Sequence, residues 1–221
     1  MAVITISRQY GSGGREVAGL VCERLGYRYF DKELMAQLGD ELGLAPEQIV
    51  DLPDHRHRTQ GLLERLFASA INPLGDPSGW ALPARLEAQR RTTVQTFQSL
   101  IQAAHERGGV VVMGRGGQAV LRGAPDVLHV RLVAPVEQRV ARVQRREGLS
   151  EDEARARIAE RDEAALDYVR RYYDLDAADP LLYDVVLTMD KLTTVAAAEL
   201  IVRAIAHLLA DAPESYTSAA P

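Results

Sequence analysis

The sequence predicts an α/β domain in three layers, α/β/α, around a five-stranded parallel sheet. Two observations carry this. Short β-like segments alternate with helical ones, at about 2–6, 27–30, 109–113, 127–132 and 184–188. Repeated β–α alternation implies right-handed crossovers with helices on both faces. The third and fourth segments, Gly109-Val110-Val111-Val112-Met113 and Val127-Leu128-His129-Val130-Arg131-Leu132, are rich in β-branched residues and scarcely alternate. That pattern suits strands buried on both faces.

Taken in order, Val3-Ile4-Thr5-Ile6 reads as the first buried strand, and Ser7 through Glu16 as a glycine-rich turn. Helical spacing then fills 15–25, 32–43, 84–107, 135–147, 151–173 and 193–210. Two segments break the rhythm. Residues 45–83 are rich in Pro, Asp, His and Gly, and Asn72-Pro73-Leu74-Gly75-Asp76-Pro77-Ser78-Gly79 reads as a loop, so an insertion is expected over about 45–83. Trp80 and Leu82 are the residues expected to anchor it. Ser150-Glu151-Asp152-Glu153 opens the second as a capping box before an Arg- and Glu-rich helix. Residues after 210 lack periodicity and are expected to be a disordered tail on a single domain over 1–210.

Strand, glycine turn and helix start together aim unpaired backbone N–H groups at one spot, the arrangement that holds phosphate. Gly11-Ser12-Gly13-Gly14 supplies it here. The usual pattern, G-x-x-x-x-G-K-[ST], adds a Lys for the outer phosphates and a hydroxyl for Mg²⁺. Here Gly14 and Arg15 stand where the Lys is expected, and Glu16 sits close to the hydroxyl position. The cation of this turn is therefore an arginine or nothing.

The composition excludes several classes. A formal net charge of −5 argues against a general nucleic-acid binder, which rests on excess Lys and Arg. One cysteine, Cys22, cannot form an internal disulfide, which suits a reducing cytoplasm. With no leader-like opening and no apolar run of about 18 residues, the expectation is a soluble cytoplasmic protein that does not contact membrane. Only Lys32 and Lys191 are lysines; the arginine bias has a plain source in codon usage, yet Arg binds phosphate well through forked hydrogen bonds.

Three further constellations stand out. Met113-Gly114-Arg115-Gly116-Gly117 follows the third strand and emerges on the same sheet edge as the first turn, so Arg115 can face a bound phosphate or the solvent. Arginines are spaced through 135–173, with Arg157 and Arg161 sharing a helix face; interspersed acids mark most of them as solvated, while a few can fold over a transferring phosphoryl group. Asp31 stands where a helix cap or a ligand carboxylate would be. His55 and His57 look like a metal pair but no Cys or further His accompanies them, so no metal site is expected.

Assembled, these pieces resemble the cytidylate kinase-like branch of the P-loop nucleoside monophosphate kinases, over about 1–205. The likeness lies in the Ile-x-Ile strand with its glycine loop, Tyr29-Phe30-Asp31, Arg85-Leu86-Glu87-Ala88-Gln89-Arg90, Gly114-Arg115 and Ala124-Pro125-Asp126. It continues through Glu137-Gln138-Arg139, Glu160-Arg161-Asp162, Arg171-Tyr172-Tyr173, Asp179-Pro180 and Tyr183-Asp184. The resemblance implies a P-loop NTPase-type fold with a helical lid at about 148–175. It implies ATP with Mg²⁺ at the glycine turn and a monophosphate acceptor across the sheet edge. Gly11, Ser12, Gly13, Gly14 and Glu16 would belong to the donor site, with Arg15 in place of the Lys and Arg8 as a second candidate. Arg115 would grip the acceptor phosphate beside Asp31, and Arg161 would serve the lid, joined by Arg157 or Arg170.

The departures are as specific. The family carries Asp before and after the Gly-Arg pair, where this chain has Met113 and Gly116; contacts to the cytidine nucleotide are replaced by Lys32, Gln37 and Ala165. The phosphate machinery is thus better represented than the base-reading machinery. The implied activity is phosphoryl transfer from ATP to CMP, dCMP or a related monophosphate. The alternatives are a nucleotide-binding regulatory protein without catalysis, or a kinase of another small molecule. The 45–83 segment is where an acceptor pocket or a contact with a second copy, giving a homodimer, would lie.

Overall fold

The computed structural model describes residues 1–44 and 81–210. The expected loop at 72–79, His55, His57, Trp80 and the tail after 210 lie outside the described residues, as do the side chains of Lys32 and 81–90. The chain divides into two compact units, 1–34 with 101–221, and 35–100. The candidate site belongs to the first.

Five parallel strands form one sheet: β1 (Val3–Arg8), β2 (Arg28–Tyr29), β3 (Val110–Met113), β4 (Val127–Val133) and β5 (Val185–Thr188). Their spatial order is β2-β3-β1-β4-β5, so β1 is central. It pairs with β3 from Val3↔Val110 to Ile6↔Met113, and with β4 from Val3↔Val127 to Arg8↔Leu132. Ser7 and Arg8, expected in the turn, therefore belong to the strand: β4 runs past them and takes up their ladder positions.

The described helices are α1 (Gly14–Leu25), α2 (Lys32–Glu41), α3 (Ala81–Arg107), α4 (Gly117–Val120), α5 (Val136–Glu147), α6 (Glu151–Tyr173) and α7 (Thr194–Ala210). α3 spans Ala81–Arg107, so it is helical from three residues before the expected 84. Pro83 falls in its first turn, where the missing N–H has no intrahelical acceptor to lose. α4 was not legible in the sequence.

Alternate strand residues serve opposite faces. Ile4, Ile6, Val111, Leu128, Val130 and Leu132 form one core with Val17, Ala18 and Val21 of α1 and Ala197, Ala198, Ile201 and Ile205 of α7. On the other face, Gly117 of α4 rests on Thr5 and Val112 so closely that an added Cβ would lie 3.2–3.4 Å from them. Helices thus cover both faces, and the three-layer expectation holds. From β1 the chain leads two places one way to β2, and from β3 two places the other way to β4. The neighbours β1 and β3 therefore flank the switch point, and their carboxyl ends border the crevice where open α/β sheets bind ligands.

Candidate active site

Arg8 ends β1, and the turn that follows is fastened on both sides. Gln9 N–H donates to Leu132 O at 3.0 Å, and Ala134 N–H donates to the Gln9 side-chain oxygen at 2.9 Å. Ser12 N–H closes the bend on Gln9 O at 3.2 Å. That amide is spent on the turn itself, so the Ser12 N–H expected to face donor phosphates is engaged inside the loop. The Ser12 side chain is fully buried and its Oγ has no hydrogen-bond partner among the described residues. Gly11 is small because α5 passes it: an added Cβ would stand 3.0 Å from Arg139 O and from Val143 Cγ2.

Gly13 caps α1 at φ 91 with no side-chain cap, a left-handed conformation that favours glycine. The next amides, of Gly14, Arg15 and Glu16, have no acceptor within the helix, and the positive end of its dipole faces outward there. An anion site at this turn thus centres on Gly13–Glu16. The Arg15 and Glu16 side chains are exposed.

Two arginines converge on the switch point. Arg8 lies against both glycine turns: a Cβ added at Gly14 would be 3.0 Å from its Cγ, and one added at Gly114 2.5 Å from its Nη1. Burial holds the Arg8 guanidinium below its usual pKa; Tyr29 opposes this, the charges of Arg115 and Arg15 reinforce it, and Asp162 opposes it. Arg115 itself adopts φ 56 between Gly114 at 72 and Gly116 at 73. Left-handed backbone is strained for a residue with a side chain and clusters at functional sites. Its Nη1 donates to Phe30 O at 3.2 Å, and its guanidinium lies 5.5 Å from the Phe30 ring.

α6 is tied to the glycine turn by contacts that the sequence did not reveal. Asp162 accepts Tyr10 N–H at 2.8 Å and pairs with Arg139, whose side chain is only 9% exposed. The Tyr10 hydroxyl donates to Glu147 at 2.5 Å, and Arg146 lies 4.9 Å from the Tyr10 ring. Farther along α6, Tyr173 covers Gly116, where an added Cβ would be 2.5 Å from its ring. The Tyr168 ring packs 5.2 and 6.0 Å from those of Tyr172 and Tyr173.

The expected residues thus separate. Arg8, Arg15, Arg115 and Gly11 through Glu16 share one edge. Arg161, on the Tyr10 side of α6, has a buried Nε with no partner among the described residues. Arg157 joins α6 to α5 through Glu147 at 3.3 Å and also meets Glu160 at 3.6 Å. Arg170 is exposed near the end of α6. Asp31 caps α2, accepting Leu34 N–H at 2.9 Å. Neither Asp162 nor Tyr10 carries a signal of this contact in the sequence, because the two lie 152 residues apart.

No three His, Cys, Asp or Glu side chains converge into a metal site among the described residues. Met113 and Gly116 supply no carboxylate at the Gly-Arg pair. The described residues do not form a cage for Mg²⁺, and in nucleotide-handling sites that ion also rests on substrate phosphates.

The cytidylate kinase-like family matches the chain over residues 3–191. The chain belongs to this family. A cytidylate kinase of Methanopyrus kandleri is 29% identical over 194 residues, covering 84% of this chain and 83% of its own. One of Ignicoccus hospitalis is 26% identical over 188 residues, covering 85% and 89%. Among solved structures, an uncharacterized protein of Eubacterium ventriosum aligns with TM-score 0.65 at 18% identity, covering 93% of this chain and 99% of that one; this likeness speaks for the fold. Membership in a kinase family supports a phosphotransferase that uses ATP, of the nucleotide-kinase kind. No described helix is long and apolar enough to cross a membrane.

Proposed function

We propose that this cytidylate kinase-like protein transfers the γ-phosphoryl group of ATP to a nucleoside monophosphate, with CMP or dCMP the first acceptors to test. The reading rests on one observation above all: the Arg8 side chain lies against both the Gly14 turn and the Gly114-Arg115 turn at the switch point between β1 and β3, in a chain whose family works on such substrates. Donor phosphates would lie on the amides of Gly13–Glu16 beside Arg8 and Arg15. Arg115 would hold the acceptor phosphate, and Arg161 would approach from α6, the lid of this reading.

An acceptor phosphate oxygen bonds to Pγ, the bond from Pγ to the β-phosphate oxygen breaks, and its electron pair leaves on ADP. The protein's share is positioning and charge stabilisation, the terms that dominate phosphoryl transfer. The substrates on this reading are nucleotides, and the reducing cytoplasm suited to a chain with one cysteine is its setting.

A coupled ADP-release assay over a panel of nucleoside monophosphates tests this. Turnover above background hydrolysis is expected with at least one acceptor, and Arg115→Ala should raise that acceptor's KM by about tenfold or more. ATP binding without transfer to any acceptor would end the proposal, leaving a nucleotide-binding protein without catalysis.

A further inference from the structure

We propose that Arg8 carries the positive charge of the absent loop lysine, and that Gly14 and Gly114 lack side chains because the Arg8 side chain occupies their space. The inference deepens the phosphoryl-transfer reading and rests on it for the identity of the anion as a polyphosphate.

The register makes the case. With Gly13 as the second glycine of G-x-x-x-x-G-K-[ST], Arg8 falls on the first glycine, Gly14 on the lysine and Arg15 on the hydroxyl residue. Compared with that pattern, positions 8 and 14 have traded side chains: a cation stands where glycine is usual, and glycine stands where the cation is usual. The space was traded with them. A Cβ at Gly14 would meet Arg8 Cγ at 3.0 Å, Cβ at 3.2 Å and Cδ at 3.6 Å. The stem of Arg8 thus runs where a lysine stem would begin. Of these atoms Cβ is fixed by the backbone, so a change of Arg8 rotamer alone does not clear the space.

The far end is enclosed as well. Arg8 Nη1 reaches the place of a Gly114 Cβ, so the guanidinium sits between the donor turn and the Gly114-Arg115 turn. Arg115 and Arg15 both act on it with like charge. Collecting three guanidinium groups around a buried position is unfavourable by itself, and a bound polyanion relieves that repulsion. A forked, permanently charged donor also suits phosphate.

Calorimetric titration with ATP and, separately, with inorganic tripolyphosphate tests the exchange. Arg8→Met keeps the stem and removes the charge; affinity for both probes should fall at least about tenfold, the scale of a lost charged hydrogen bond. That loss should exceed the one in Arg15→Ala. Gly14→Lys should also weaken binding, because two side chains then compete for one space. The double variant Arg8→Gly/Gly14→Lys restores the usual arrangement and should regain affinity to within about threefold of the parent.

Full affinity in Arg8→Met, or a double variant no tighter than Gly14→Lys alone, would overturn the inference. So would a parent protein that binds neither probe. Should Arg8→Met fail to fold, judged by circular dichroism, Gly114→Ala carries the test. It displaces the guanidinium without deleting it, and unchanged affinity there is equally fatal. Because the readout is binding, absence of transfer to every monophosphate would remove the functional reading alone. Turnover accompanied by full affinity in Arg8→Met would remove this inference alone.

Discussion

His129 sits on the β4 face opposite the α1–α7 core, its Nδ1 2.7 Å from Thr5 Oγ1 and its backbone N–H donating to Asp184 at 2.7 Å. Burial lowers its pKa from the ordinary 6.5, with the Asp184 charge and the Leu121 backbone opposing. The unfolded chain therefore takes up this proton more readily than the folded one. The stability concerned is present above 6.5 and is lost as pH falls below it. Melting temperatures from about pH 7.5 down to about 5.5 should decline more steeply for the parent than for His129→Asn; parallel declines would show that another group titrates. A sequence shows that a histidine lies in an apolar run, but not that it is enclosed. The same holds for Arg157, whose spacing with Arg161 was legible while its pairing with Glu147 depended on where α5 lies.

Among elements, α6 was the most legible. Its capping box is present: Ser150 Oγ accepts Glu153 N–H at 3.4 Å, and Glu153 accepts Ser150 N–H at 2.9 Å. Such local signals survive in the sequence because partners three residues apart meet in any helix that starts there. Ser150→Ala should cost ~1 kcal/mol of helix-end stability. It should appear as faster amide exchange in the first turn of α6 with the sheet unchanged; equal exchange in both proteins would contradict the cap. α4 was illegible for the complementary reason, since four residues opening on glycine carry no periodicity. It forms because β3 ends beneath it and Gly117 fits against Thr5 and Val112.

For the whole molecule, folding and nucleotide binding should be linked. A ligand at about a hundred times its Kd adds ~2.7 kcal/mol to a protein that binds it only when folded. For a chain of 221 residues this corresponds to a rise in melting temperature of roughly 5–10 °C. Thermal scans with saturating ATP should show it, and no rise would contradict a donor site formed by the fold. The long-range contact of Asp162 with Tyr10, 152 residues apart in sequence, belongs to this scale. Nothing local in either residue announces it.

By itself the sequence determined the alternation of strands and helices, the burial of β1, β3 and β4, the glycine turns after β1 and β3, and the family resemblance. These follow from side-chain periodicity and from residues close together in the chain. Only the tertiary structure decided that β1 is central and borders β3 at the switch point, that Ser12 spends its amide within the turn, and that the Arg8 stem fills the space beside Gly14. Those outcomes depend on which distant segments share a volume, and side chains compete for volume only once the chain has folded.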